Sequence, residues 1–85
     1  MTSIAHRFGE NLRQHRKRAD ISQEELGFRA SLHRTEIGKL ERGARMPNLE
    51  TILKLAAALS VSPTALIEGL VWVPQEIEPS NQTFG

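Results

Sequence analysis

The sequence contains no cysteine, so neither disulfide bonds nor metal sites built on thiolates can stabilise the chain. It also lacks an uninterrupted apolar run of the length that a signal peptide or a membrane-spanning helix requires. No nucleophile–base arrangement, clustered carboxylate pair or glycine-rich phosphate loop is present, so we expect neither enzyme activity nor a cofactor. The three histidines lie away from any cluster of carboxylates, and we expect no metal site. These absences favour a cytoplasmic protein with no membrane partner.

Charge is distributed unevenly along the 85 residues, although the formal net charge is only +1. Residues 1–48 contain ten Lys and Arg against six Asp and Glu, whereas residues 49–85 contain one Lys and four Glu. A basic half suits a polyanion such as nucleic acid, but charges scattered over a solvated helical surface explain the same counts. The length indicates one small domain, with no room for a separate domain that binds a small molecule.

Apolar residues recur at helical spacing along most of the chain, and this pattern predicts an all-α fold. The expected helices lie at about residues 3–19, 23–30, 34–42, 49–59 and 63–68. Ser22, Asn48 and Ser62 are placed to cap three of them. Helix four is the most apolar and is predicted to be largely buried. Residues 1–73 form the predicted domain, and residues 74–85 are predicted to be an extended or disordered tail.

The segment 22–43 contains two short helices separated by only a few residues. Ser22 and Glu25 form a capping box at its start, in which the hydroxyl accepts from an amide and the carboxylate reaches back. Two helices joined by so short a turn cannot be antiparallel, so we expect them to cross steeply. Gly27 and Gly38 lie inside these helices, where glycine costs about 1 kcal/mol relative to alanine, and we expect them to allow close packing.

Several short motifs have the order and spacing of a known family: SQEEL at 22–26, Leu32, Ile37, LERG at 40–43, PNLET at 47–51 and LAAALSVSP at 55–63. Together they resemble the phage repressor/Cro (XRE-type) helix-turn-helix family over about residues 5–69. The resemblance implies a five-helix, lambda-repressor-like helix-turn-helix bundle whose third helix enters the major groove of DNA. The sequence departs from the family pattern at Gly27, Ser31 and Gly38, and Ser31 replaces the glycine that is usual in the turn.

In this family fold, base edges are expected to meet the outward side chains of helix three: His33, Arg34, Thr35, Glu36 and Lys39. Arg34 is the leading candidate because a guanidinium matches the two acceptors of guanine, and a phosphate contact is the alternative. Glu36 can accept a hydrogen bond from cytosine. We favour structural roles for it, in which it follows a His33 cap or orients Arg34.

Phosphate contacts are expected from the start of helix two, the loop after helix three and the start of helix four: Ser22, Gln23, Arg42, Arg45 and Asn48. The family commonly pairs an arginine late in helix one with the glutamate of its LERG-like turn, here Arg16 and Glu41. The resemblance therefore assigns Arg16 and Glu41 to folding rather than to DNA.

A single recognition helix makes few base contacts, so we expect a homodimer on a palindromic operator with half-sites about 34 Å apart. The expected dimer interface comes from the apolar segment after helix four: Leu66, Leu70, Val71, Trp72 and Val73. Packing of Trp72 on the core of its own chain is the alternative.

Three functions remain open at this point. The leading one is a sequence-specific transcriptional regulator that binds double-stranded DNA. Within the same fold, the run from Leu32 to Thr35 also suits a restriction–modification controller protein, and an antitoxin that represses its own operon and binds a protein partner is possible as well. The third is a helical protein-interaction module whose basic face is incidental.

Overall fold

The computed structural model describes residues 3–74, which form five α-helices and no β-strand. The helices are α1 Ile4–Arg18, α2 Gln23–Ala30, α3 Arg34–Glu41, α4 Leu49–Leu59 and α5 Pro63–Leu66. The predicted all-α, five-helix fold is confirmed. The tail was predicted for residues 74–85, and all of it except Pro74 lies outside the described residues. Within residues 3–74, none of the helices has the length and hydropathy that crossing a membrane requires.

The helices begin where polar residues satisfy their free amides. The side-chain oxygens of four N-cap residues accept a hydrogen bond from an amide of the first turn: Ser3, Ser22, Asn48 and Ser62. His33 occupies the equivalent position before α3 but makes no side-chain hydrogen bond there, so its predicted capping bond is absent. The capping box of α2 is only half formed, because Glu25 accepts from Arg29 instead of reaching back.

Among residues 3–74, three non-glycine residues adopt the left-handed conformation at helix ends: Asp20, Ser31 and Ser60, with φ of 57–59°. Asp20 can do so because short polar side chains tolerate this region better than most. Ser31 places the same conformation in the turn between α2 and α3, at a cost of about 1–2 kcal/mol relative to glycine. The turn closes through a bond of 2.8 Å from the Leu32 amide to the Gly27 carbonyl.

One apolar core joins all five helices, and its largest members are completely buried: Phe8, Leu12, Leu26, Ile37, Leu40, Leu55 and Leu66. Each such side chain contributes about 1.5–3 kcal/mol through burial. The prediction that α4 is largely buried is wrong for its first half, because Leu49 and Leu53 are 71% and 48% exposed. The buried face of α4 is formed by Leu55, Ala56 and Leu59 instead, where the helix packs against α2 and α5.

Gly27 lies where another backbone comes very close. A Cβ atom there would lie 2.6 Å from the Leu32 carbonyl oxygen, so the predicted close approach is confirmed, although the approaching backbone is the turn after α2. The same prediction is wrong for Gly38, whose nearest neighbours are the ends of two flexible side chains, Arg42 and Gln23.

A further glycine, Gly9, fixes the contact between α1 and α3, and the sequence analysis did not single it out. A Cβ atom at Gly9 would lie 2.5 Å from the Leu40 carbonyl oxygen and 2.6 Å from that of Glu41. Side chains cannot occupy that space, so α1 passes directly over the last turn of α3. This contact therefore sets the distance between α1 and the C-terminal end of α3.

Candidate nucleic-acid interface

The two sides of α3 differ sharply in exposure. Its inward side consists of Ile37, Gly38 and Leu40, all buried. The five side chains predicted to contact bases all reach the surface: His33, Arg34 and Thr35 are exposed, and Glu36 and Lys39 are half-buried. The helix therefore presents a polar surface, which we call the α3 face (His33, Arg34, Thr35, Glu36 and Lys39).

The charges of the α3 face are mostly available to a ligand. Among residues 3–74, neither Arg34 nor Lys39 forms an ion pair, and the same is true of Arg42 after the helix. Arg34 is the first residue of α3, so no preceding helical turn covers its side chain, which is exposed. This is the arrangement that a base-contacting arginine needs.

Glu36 is paired, but its partner differs from the predicted one. Its carboxylate accepts from Nη1 of Arg45, at 3.1 Å for Oε1 and 3.3 Å for Oε2. The prediction that Glu36 orients Arg34 is wrong, because residues two positions apart on a helix point in different directions. Arg45 is bonded to this carboxylate here, and its predicted phosphate contact stays a prediction.

The ion pair that the resemblance implies between Arg16 and Glu41 is present and nearly buried. Nε and Nη2 of Arg16 donate to the two carboxylate oxygens at 2.6 and 3.0 Å, and the side chains are only 13% and 4% exposed. Hydrogen bonding to Glu41 raises the pKa of the Arg16 guanidinium above its ordinary value; burial opposes this, and the charge of Glu41 reinforces it.

Two further bonds make this pair a junction of three helices. The remaining Nη1 of Arg16 donates to the Ile21 carbonyl at 2.9 Å, and Nε2 of Gln23 donates to Glu41 at 3.0 Å. The network thus ties the end of α1, the start of α2 and the last residue of α3 together. It links the start of α2 to the end of α3 through side-chain hydrogen bonds.

Each predicted phosphate-binding residue at a helix start already makes one side-chain hydrogen bond but keeps another hydrogen that it can donate. The oxygens of Ser22 and Asn48 accept from helix amides, which leaves the hydroxyl hydrogen of Ser22 and the amide hydrogens of Asn48 as donors. Gln23 uses one amide hydrogen on Glu41 and retains a second. A phosphate contact therefore stays a prediction for all three.

A buried polar residue, Asn11, was missed by the sequence analysis. Its Nδ2 donates to the carbonyl oxygens of Leu66 and Glu68 at 3.0 and 2.8 Å. These bonds satisfy carbonyls at the end of α5 and connect that end to α1. A polar residue between Phe8 and Leu12, on the buried side of α1, is the signal that could have revealed it.

The predicted dimer interface is divided by the structure. Leu66 is completely buried in the core, so its assignment to the interface is wrong, and Leu70 packs against the same core. Residues 71–73, which we call the 71–73 patch, are strongly exposed, and Trp72 is 78% exposed. The alternative in which Trp72 packs on its own core is therefore wrong for the chain on its own.

The 71–73 patch borders an apolar groove of about 690 Å³. Its other walls are Met46 and the first residues of α1, Ile4 and Ala5 among them. Across residues 3–74, no group of three or more His, Asp or Glu side chains is placed to hold a metal ion.

These features define a small all-α protein in which a braced helix-turn-helix presents a polar face with two cations, Arg34 and Lys39, that form no ion pair within residues 3–74. A helix-turn-helix family model matches residues 12–66. The control protein C.BamHI of Bacillus amyloliquefaciens is 44% identical over 62 residues, which cover 72% of this chain and 76% of that protein. The chain therefore belongs to the helix-turn-helix family of DNA-binding regulators, of the phage repressor/Cro (XRE) type.

Solved structures agree with this assignment. The restriction–modification controller protein C.AhdI from Aeromonas hydrophila is similar with a TM-score of 0.72 and 44% identity, covering 73% of this chain and 94% of that one. The P22 c2 repressor, solved in complex with a synthetic operator, has a TM-score of 0.69 and 35% identity, covering 80% of this chain and 98% of that one.

Proposed function

We propose that this protein regulates transcription by binding a palindromic operator as a homodimer, with α3 of each copy in the major groove. The observation that carries the proposal is the α3 face, which is polar and accessible on a helix whose opposite side is buried. An α-helix with its side chains is about 10–12 Å across, which suits a major groove about 12 Å wide. The similarity to a repressor solved on operator DNA supports this placement.

Arg34 is the main base-contacting residue in this proposal. It has no ion-pair partner within residues 3–74 and lies at the N-terminal end of α3, the part of a recognition helix that enters the groove. Its fork can donate to O6 and N7 of guanine. Thr35 offers a methyl group to thymine or a hydroxyl to phosphate, and Lys39 lies one turn further along.

Phosphates on either side of the groove bind to donors around the α3 face. The starts of α2 and α4 supply the remaining hydrogens of Ser22, Gln23 and Asn48, together with the free amides at helix N-termini. Arg42 adds a cation beyond the end of α3. These contacts set position and affinity, while the base contacts set sequence preference.

A second copy of the chain is the proposed occupant of the groove beside the 71–73 patch. A two-fold dimer uses the same surface of both copies, so Trp72 of each copy can be buried against the apolar groove of the other. Asn11 anchors the chain just before this segment, which keeps it in place. Two recognition helices then meet half-sites about 34 Å apart.

A more specific candidate function is control of a restriction–modification system. The control protein and the controller structure are each 44% identical to this chain over at least three quarters of their own length, whereas the phage repressor structure is 35% identical. In this case the genes that the protein regulates belong to a restriction–modification system.

Selection of bound duplexes from a random pool tests the proposal. The wild type should enrich one palindromic sequence, and Arg34→Ala should lose the preference at one base in each half-site. Arg18→Ala is the matched control, because it removes an exposed arginine at the last position of α1, outside the α3 face, and should leave the base preference unchanged. Failure of the wild type to enrich any sequence would contradict the proposed function.

A further inference from the structure

The α3 face contains one carboxylate, that of Glu36. It forms an ion pair with Arg45, a cation that could otherwise contact a DNA phosphate. Glu36 is the third residue of α3, and both of its oxygens lie within hydrogen-bond distance of one nitrogen of Arg45. The Glu36 side chain is 25% exposed and that of Arg45 is 47% exposed, so the pair lies at the surface. It is positioned where the proposed function places the phosphate backbone and base edges.

This arrangement penalises DNA that offers nothing to the carboxylate. If Arg45 stays on Glu36, one phosphate contact is lost. If Arg45 moves to a phosphate, an unpaired carboxylate remains beside a polyanion and is repelled by it. Either way, binding that depends only on phosphates is weakened, whatever the sequence.

A base edge with an amino donor removes that penalty. The cytosine N4 amino group points into the major groove and can donate to a carboxylate. Glu36 is then satisfied by the base, and Arg45 can move to a phosphate without leaving an uncompensated charge. Exposed ion pairs are weak, so the exchange of partners is accessible.

We propose that Glu36 is a specificity-determining residue, which holds Arg45 off the phosphates of non-specific DNA and releases it where the base edge donates an amino hydrogen. This inference rests on the proposed function. It differs from a purely structural role, in which the pair only fastens the loop after α3. A structural role would change unfolding but not the salt dependence of DNA binding.

The test compares wild type and Glu36→Gln on two duplexes over a range of KCl concentrations: the sequence that the wild type selects and a scrambled sequence of equal length. Glutamine keeps the shape but removes the charge, so Arg45 becomes free. Affinity for the scrambled duplex should rise about threefold to fivefold. The slope of log K against log salt on that duplex should steepen by about 0.9, the contribution of one more phosphate. The ratio of specific to non-specific affinity should fall.

Two controls isolate the ion pair. Glu10→Gln removes an exposed carboxylate of α1 that has no ion-pair partner within residues 3–74, and its salt slope should match the wild type. In an Arg45→Gln background, adding Glu36→Gln should no longer steepen the slope, because the released cation is absent. Arg45→Gln alone should leave the slope on scrambled DNA unchanged. Thermal unfolding of each variant checks that it is folded.

An unchanged slope and an unchanged affinity ratio in Glu36→Gln would overturn the inference. Steepening that persists without Arg45 would do the same, because the effect would then come from general repulsion. Failure of the proposed function has a different signature: the wild type would prefer neither duplex.

Discussion

The buried ion pair between Arg16 and Glu41 predicts a large loss of stability when the carboxylate is removed. Glu41→Ala deletes two charge-assisted hydrogen bonds from Arg16 and one bond from Gln23. The guanidinium, 13% exposed, keeps only its bond to the Ile21 carbonyl and becomes a nearly buried charge without a counter-ion. Breaking a buried pair in this way costs about 3–5 kcal/mol.

The lower end of that range applies here, because the small remaining exposure of Arg16 lets its charge turn toward water. A loss of about 3 kcal/mol is a large share of the 5–15 kcal/mol that stabilise a typical domain. For a domain of this size it corresponds to a fall in Tm of about 12–24 °C. Urea and thermal unfolding followed by circular dichroism measure both quantities.

Glu25→Ala is the matched control, because it breaks the exposed pair between Glu25 and Arg29 on α2. We expect a loss below about 0.5 kcal/mol there. Replacing both buried partners with apolar residues, Arg16→Met with Glu41→Leu, should cost less than Glu41→Ala alone, since no charge is left stranded. A Glu41→Ala variant as stable as the wild type would refute the structural role assigned to the pair.

Two other substitutions test contacts that position the recognition helix and the dimer. Gly9→Ala should lose about 1–3 kcal/mol in thermal unfolding, because its Cβ would meet the backbone of Leu40; Gly38→Ala, whose neighbours are flexible side chains, should instead gain up to about 1 kcal/mol. Equal effects at the two glycines would contradict this account. Trp72→Ala should weaken self-association at least about tenfold in analytical ultracentrifugation. Leu70→Ala should in addition lower the stability to unfolding, because Leu70 packs against the core. Unchanged self-association in Trp72→Ala would exclude the 71–73 patch as the interface.

Local signals explain why the helices could be predicted from the sequence. The N-cap hydrogen bonds span only two or three residues, so local sequence is enough to predict them, as at Ser22, Asn48 and Ser62. The outward polar residues of α3 follow from helical periodicity in the same way, because Ile37 and Leu40 define the buried side.

Features that depend on packing between distant segments were not predictable in this way. Leu66 and Val71 are similar apolar residues, and only the packed fold places one in the core and the other at the surface. Leu53 belongs to an apolar helix, yet in the described part of the chain it remains 48% exposed. The partner of Glu36 is nine residues away, across a loop whose path no local pattern specifies.

A modified operator tests directly whether Arg34 contacts a base in the major groove. Substituting 7-deazaguanine for guanine, one position at a time in the selected duplex, removes the N7 acceptor from the major groove. We expect a loss of about 1–3 kcal/mol in wild-type binding at one guanine per half-site, and no further loss at that position in Arg34→Ala. Wild-type affinity that is insensitive to every such substitution, or equally sensitive in Arg34→Ala, would contradict it.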